Sequence, residues 1–349
     1  MIEPKWGELL VISQTQCRSL ISDREVLALV EQVLADYSNG DAVNPIKLHL
    51  PFFPDYYGWN NAMPSWLKKQ DVHGIKWAGF GEYNTPKFGL PQCSAVIVLN
   101  DMATAFPIAL LDGTTIMSMR TGAAAAIMAK HCCKSGACTL TIIGAGVQGT
   151  SGVEMTLLAM PQIQQVRVMD LRQEAVDKLI AKVSQEFPQV KFTGYTDMAA
   201  SMAGSDIIMT AVHGAGNTGG DILDNVEFEP GVTVVKIAGG VSAGKFREKF
   251  DYVVLDFIAC FVHRLNETIG YMKEVFGKTL PTLDCSIADT EIGDVITGKA
   301  PGRRSDDEIV YAGGVGMSIE DLIVANDIYQ KAKAQGVGQV ISLIDDLGL

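Results

Sequence analysis

Thr139-Leu140-Thr141-Ile142-Ile143-Gly144-Ala145-Gly146-Val147-Gln148-Gly149 is the stretch whose reading decides the fold. An apolar, β-branched run enters a Gly-x-Gly-x-x-Gly corner, and Ser151 to Met160 follows with apolar spacing that suits a helix. A second run, Val166-Arg167-Val168-Met169-Asp170, then ends in an acid about 20 residues beyond the third glycine, as in the dinucleotide fingerprint. Each residue type has a task. Gly144 permits the tight turn out of the strand, Gly146 lets backbone N–H groups approach a pyrophosphate, and Gly149 allows the helix to pack closely on the sheet. The helix N-terminus offers the positive end of its dipole to the phosphates, helped by the backbone of Val147 and Gln148. Asp170 is suited to accept hydrogen bonds from both ribose hydroxyls and to repel a 2′-phosphate, which favours NAD over NADP. Leu171 and Arg172 follow it on the cofactor side, and Arg172 is placed either to reach a 2′-phosphate or to stack on adenine. The alternative, a glycine-rich turn in an ordinary α/β domain, accounts less well for strand, helix and acid together.

Downstream the pattern alternates. Helices are expected at Arg172 to Phe187 and Met198 to Met202, and strands at Val190 to Tyr195, Asp206 to Val212, Val232 to Ala238 and Tyr252 to Phe257. Alternation of this kind predicts a Rossmann-type, doubly wound parallel sheet in an α/β protein. Ligands of such sheets sit beyond the carboxyl ends of the strands, which places Thr210, Ala211, Val212 and Ala238 near the cofactor.

The region before the corner reads as α+β. Ser22-Asp23-Arg24-Glu25 fits a capping box opening a helix over Asp23 to Asp36. Strands are expected at Ile75 to Phe80, Ser94 to Leu99 and Pro107 to Leu111, with a turn at Asn100-Asp101, and an alanine-rich helix over Met117 to Cys133. Ser318-Ile319-Glu320-Asp321 resembles a capping box at the start of a helix reaching about Ala334, which should pack back on the first region. The expected division is a discontinuous first domain, 1–125 with 319–349, and a dinucleotide-binding domain, 126–318.

At 349 residues the chain can bury two substantial cores, and a formal charge of −12 argues against non-specific nucleic-acid binding or attraction to anionic membranes. Met1-Ile2-Glu3-Pro4-Lys5 lacks the layout of a signal peptide, and no apolar run is long enough to span a bilayer. Seven cysteines without a Cys-x-x-Cys pair read as reduced thiols of a cytoplasmic protein. The histidines His49, His73, His131, His213 and His263 show no metal-ligand spacing, so no metal is expected.

Three cations stand where a charge is costly unless it is used: Lys47 after Asn44-Pro45-Ile46, Lys76 inside the strand Gly74-Ile75-Lys76-Trp77-Ala78-Gly79, and Arg120 at the start of the alanine-rich helix. Each serves either as half of a buried salt bridge or as part of a clamp for a substrate carboxylate, for which Arg120 offers bidentate geometry.

Ala62-Met63-Pro64, Ile75-Lys76-Trp77, Arg120-Thr121-x-Ala123-Ala124, Gly144-Ala145-Gly146-Val147-Gln148 and Gly314-Val315-Gly316-Met317-Ser318-Ile319-Glu320-Asp321 together resemble the ornithine cyclodeaminase/μ-crystallin family over nearly the whole chain. The resemblance implies a first domain that binds substrate and forms a homodimer, NAD as cofactor, and hydride transfer at the Cα of an amino or imino acid. It implies that Lys47, Lys76 and Arg120 bind the substrate carboxylate, and that Thr121 and Met317 lie by the nicotinamide; Lys76 is also placed to position water or to accept a proton if burial lowers its pKa. Pro45-Ile46-Lys47 and Ile296-Thr297-Gly298-Lys299-Ala300-Pro301-Gly302-Arg303 are closest to members that oxidatively cleave an N-carboxyalkyl amino acid such as N-(2-amino-2-carboxyethyl)-glutamate. Two positions depart from the cyclodeaminases. Val241 stands where they carry a catalytic aspartate, and Asn61 where they carry a glutamate for the distal amine. The competing expectations are an ornithine-type cyclodeaminase or ketimine reductase, and a nucleotide-binding protein without turnover.

Overall fold

A computed structural model describes residues 4–52, 57–212, 222–276 and 282–345. His213 and the first three residues of the amino-terminal segment read above lie outside the described residues. The chain divides into two compact units, Met1–Arg120 with Met317–Leu349, and Thr121–Gly316.

The second unit is built on a sheet whose described strands are all parallel. Their spatial order is Lys191–Tyr195, Gln165–Met169, Thr139–Ile143, Ile207–Ala211, Thr233–Ala238, Val310–Gly313, Tyr252–Leu255 and Thr290–Glu291. All five residues of Thr139–Ile143 are buried, as a central strand covered on both faces requires. From this strand the chain winds outward in one direction to Lys191–Tyr195, then returns to Ile207–Ala211 on the other side. The crevice of a doubly wound sheet opens at such a reversal. Helices Val147–Ala159 and Gln173–Glu186 make the crossovers, and the second buries Val176, Leu179 and Val183 at helical spacing. Val310–Gly313 enters between two earlier strands and was not expected from sequence, because four buried residues carry no period. Its Tyr311 is fully buried, with ring centroids 4.3 Å from Phe246 and 5.1 Å from Phe250.

The first unit carries a mostly antiparallel sheet ordered Gln339–Ser342, Glu8–Ile12, Pro107–Asp112, Cys93–Asp101, Val72–Gly81, Gly58–Leu67 and Ala42–Val43, with Leu48–Pro51 also on Gly58–Leu67. The alternation is clean. Met63, Ser65, Leu67, Val72, Lys76, Ala78, Ala95, Ile97 and Leu99 point to one, buried face, while Trp66, Trp77 and Val96 point to the other and are exposed. Gly58–Leu67 escaped the sequence reading because Asn60, Asn61 and Pro64 read as breakers; Pro64 nevertheless sits opposite Ile75 inside the ladder.

Helix Asp23–Ser38 starts on the expected box, Ser22 Oγ accepting from Glu25 N at 3.3 Å and Glu25 accepting from Ser22 N at 2.8 Å. Helix Ser318–Gln335 lies against helix Asp23–Ser38 and the sheet and is buried on nearly every side over its first half. Its start corrects the expected capping box. The cap is Met317 without a side-chain bond, and Ser318 Oγ donates to Met63 O while accepting from Ser65 Oγ at 3.1 Å. Tertiary partners outcompete the local cap because this end is buried among polar groups that need them.

The corner separates two roles of glycine. A Cβ on Gly149 would lie 1.9 Å from Gly144 O, whereas one on Gly146 meets nothing within 4 Å. Gly149→Ala should therefore cost about 1–3 kcal/mol of stability in denaturant melts, and Gly146→Ala less than about 1 kcal/mol. Equal losses in the two variants would contradict the assigned roles.

Candidate active site

In the second unit the corner is shaped as a cradle. Gly144 takes φ +103° with Ala211 O only 2.6 Å from where a Cβ would stand, so no other residue fits the turn. Gly146 is the N-cap of Val147–Ala159 and brings no side chain to it, and a Cβ there would meet nothing within 4 Å. Asp170 is fixed at the lip: Oδ2 accepts from Ala145 N at 2.9 Å and Oδ1 from Arg172 N at 3.0 Å. The Arg172 guanidinium is largely exposed and lies 3.6 Å from the same carboxylate, a pairing too loose and wet to hold it. Val147 and Leu171 are 74% and 85% exposed, two apolar side chains standing in solvent beside the corner. The Gln148 side-chain oxygen is buried without a hydrogen-bond partner among the described residues. Thr210 is fully buried and its hydroxyl donates to Gly239 O at 3.4 Å, while Val212 N donates to Ala238 O at 3.1 Å. Thr210, Ala211, Val212 and Ala238 thus sit together at the carboxyl ends of adjacent strands. The open cradle, the helix N-terminus without a side-chain cap and the orphaned Gln148 oxygen suit a dinucleotide.

Sequence reading missed Asp256. It is buried, accepts from Val315 N at 2.9 Å and Gly316 N at 2.6 Å, and would collide with any side chain at Gly314, where a Cβ falls 1.9 Å from its carboxyl carbon. A lone aspartate after an apolar strand carries no motif of its own; the glycines that it holds were the visible signal.

The first unit gathers the cations. Lys76 is 1% exposed and its ammonium donates to Asp321 Oδ2. Arg120 donates from Nε to Asp321 Oδ1 at 3.0 Å and from Nη1 to Glu320 Oε2 at 2.6 Å. Lys47 is buried nearby, close enough for its charge to act on Lys76. Burial, then the Arg120 charge, push the Lys76 ammonium down to about 8, with Lys47 adding to the fall and Asp321 opposing it. Burial also works against charge on Arg120, but Asp321 and Glu320 outweigh it and hold the guanidinium above its usual range. Both roles foreseen for Lys76 and Arg120 are therefore compatible with their geometry: they are ion-paired and they stand together. Sequence reading missed the partners, Glu320 and Asp321, because it took them for a helix cap.

Met317 is fully buried and caps the helix that bears this acid pair, so it belongs to the first unit, whereas Thr121 opens the second unit's share of helix Gly113–Cys132. Asn61 is buried, and its Oδ1 accepts from His49 Nδ1 at 2.8 Å. Val241 lies in an apolar cluster with Leu223, Phe246 and Phe250. The neighbouring Ser242 donates through N and Oγ to Asp224 at 2.7 and 2.6 Å, which ties that carboxylate down as a turn clasp. Among the described residues no group of His, Cys, Asp and Glu is arranged to hold a metal, and no helix is long and apolar enough to cross a membrane.

Against known proteins, the description "Ornithine cyclodeaminase/mu-crystallin family" matches residues 8–336. The chain is 31% identical to N-((2S)-2-amino-2-carboxyethyl)-L-glutamate dehydrogenase of Staphylococcus aureus, over 90% of this chain and 92% of that one. Among solved structures it resembles Δ1-pyrroline-2-carboxylate reductase of Thermococcus litoralis in complex with NADH and L-proline, with TM-score 0.82 and 27% identity over 95% of this chain and 99% of that one. It also resembles an archaeal alanine dehydrogenase dimer with bound NAD, with TM-score 0.80 and 27% identity over 97% and 100% of the two chains. The chain belongs to the ornithine cyclodeaminase/mu-crystallin family.

Proposed function

We propose that this chain is an NAD-dependent dehydrogenase that oxidises the Cα–N bond of an N-carboxyalkyl amino acid, with N-(2-amino-2-carboxyethyl)-glutamate as the best candidate. The observation that carries the reading is chemical. Lys76 and Arg120 are kept and buried together, while the two positions where cyclodeaminases place acids hold a hydrogen-bonded amide, Asn61, and a valine packed in an apolar core, Val241. The dehydrogenase relative in S. aureus supports the substrate class.

The second unit is the dinucleotide-binding domain: Gly144, Gly146, Val147, Gln148 and Gly149 take the pyrophosphate, Asp170, Leu171 and Arg172 the adenosine ribose, and Thr210, Ala211, Val212, Ala238 and Thr121 the nicotinamide end, to which Met317 of the first unit is also assigned. NAD held by these residues would supply the acceptor for a hydride from Cα. The first unit is the substrate domain. Lys47, Lys76 and Arg120 hold the α-carboxylate and fix Cα in place, and such positioning supplies much of the rate. Water adds to the oxidised carbon, the C–N bond breaks, and an oxo acid and a free amine leave; for the proposed substrate these are 2-oxoglutarate and 2,3-diaminopropionate. The Lys76 ammonium is able to help place that water. The reaction needs no residue to steer a distal amine, which suits Asn61 and Val241. The enzyme works in the cytoplasm, without a nucleic-acid or membrane partner. It acts as a homodimer, its exposed sheet face pairing with the same face of a second copy: Trp77 is 42% and Trp66 37% exposed there, beside Val96.

Three outcomes are expected. Purified protein with NAD should form NADH from N-(2-amino-2-carboxyethyl)-glutamate and should not convert ornithine to proline and ammonia; robust proline formation would make this a cyclodeaminase. NAD should be used at least tenfold better than NADP by kcat/KM, and Asp170→Ser should narrow the gap; a wild-type preference for NADP would make Arg172 the dominant group. Light scattering should give a dimer, and Trp77→Glu a folded monomer; an unchanged dimer in that variant places the interface elsewhere.

A further inference from the structure

Asp321 is fully buried, and each of its carboxylate oxygens receives a cation assigned above to the substrate: Lys76 Nζ on Oδ2, and Arg120 Nε on Oδ1 at 3.0 Å. Neither cation is exhausted by this. An ammonium has three donors and a guanidinium five, and the hydrogen bonds of this pair among the described residues take one from Lys76 and two from Arg120, the second going to Glu320. The carboxylate itself cannot swing. Ser318 Oγ is tied to Met63 O and Ser65 Oγ, and Ile319 N donates to Asn44 Oδ1 at 3.2 Å, so the first turn of the helix is fastened to the sheet just before Asp321.

We propose that Asp321 is the positioning residue of this site: it holds the Lys76 ammonium and the Arg120 guanidinium in one rigid frame, with their remaining N–H donors converging on the α-carboxylate of an amino-acid substrate. The proposal rests on the reading of Lys76 and Arg120 as substrate-binding groups. The frame matters because two long cationic side chains, left to themselves, lose rotamer freedom when they converge on a ligand, whereas a pre-set pair does not. Asp321 also governs charge. The charges that act on Lys76 are Arg120 and Lys47, with Glu320 bound to Arg120; Asp321 is the anion in contact with the ammonium, and Lys76 in turn acts on the half-buried Cys93 thiol. Burial and the two cations favour the neutral amine, and Asp321 opposes them.

Substrate carboxylate binds the ammonium form, so kcat/KM should fall as pH rises through about 8 in the wild type. In Asp321→Asn the ammonium loses its anion, and the fall should begin about 1–3 pH units lower. KM at neutral pH should rise at least tenfold, with kcat at low pH and saturating substrate within a few-fold of wild type and NADH affinity unchanged. Asp321→Glu should restore the pH limb but not the full affinity, because the charge returns one methylene out of place. The decisive readout needs no turnover: 13Cε-lysine NMR, with the Lys76 signal assigned by Lys76→Arg, should show Lys76 titrating lower in Asp321→Asn than in wild type. An unchanged Lys76 titration, or an unchanged pH limb with a uniform loss of kcat, overturns the proposal. Should Asp321→Asn fail to fold, Asp321→Glu decides it, since normal KM in that variant is incompatible with a positioning role. Lys76→Gln separates the two levels: normal kinetics there overturn the functional reading itself, whatever Asp321 does.

Discussion

The first unit depends on burying four charges at once. Lys76, Arg120, Glu320 and Asp321 are each at most 7% exposed. An isolated ion in that setting costs several kcal/mol, and removing one member of a buried pair typically costs about 3–5 kcal/mol. The cluster is tolerable only because strand Val72–Gly81, helix Gly113–Cys132 and helix Ser318–Gln335 bring their charges together in one place. This explains the discontinuity of the unit. The carboxy-terminal helix returns to the first sheet because its acids have partners there, and it is buried so completely that its polar groups must be satisfied by tertiary contacts. Such clusters contribute little net stability compared with an apolar core. Their persistence in a core is better explained by what the charges do than by what they stabilise.

How much was legible depended on whether a signal was local. The glycine corner, the acid at Asp170, the crossover helices and the box at Ser22 all declare themselves within a few residues, and the structure places them where the pattern put them, within one or two residues at most boundaries. Strands Gly58–Leu67 and Val310–Gly313 were not legible. The first contains apparent breakers whose polar side chains are satisfied by neighbours, and the second is a short buried run inserted between strands distant in sequence. At the site, Lys76 and Arg120 stood out because a charge in an apolar element is anomalous. Glu320 and Asp321 did not, because acids in a helix's first turn are ordinary. Only the burial of that turn reveals them as partners.

The second unit follows a different constraint, close approach of backbone. Gly144, Gly149 and Gly314 each stand where a Cβ would strike a carbonyl or a carboxylate, and Gly146 stands where it would strike nothing of the protein. That contrast is what a ligand cradle looks like: tight where strand and helix must meet, open where phosphates approach. Asn61 and Val241 bear on the proposed chemistry. A valine in an apolar cluster and an amide bonded to a histidine offer no proton acceptor to a ring-closing amine, whereas hydrolysis of an oxidised secondary amine asks only for a fixed carboxylate and water.

Hydride transfer from the glutamate Cα of an N-carboxyalkyl substrate is the central claim, and isotope transfer tests it most directly. N-(2-amino-2-carboxyethyl)-glutamate carrying deuterium at the glutamate Cα should give singly deuterated NADH in one-to-one yield with 2-oxoglutarate and 2,3-diaminopropionate. Products without deuterium in the reduced cofactor, or label retained at the Cα of released glutamate, would contradict the account.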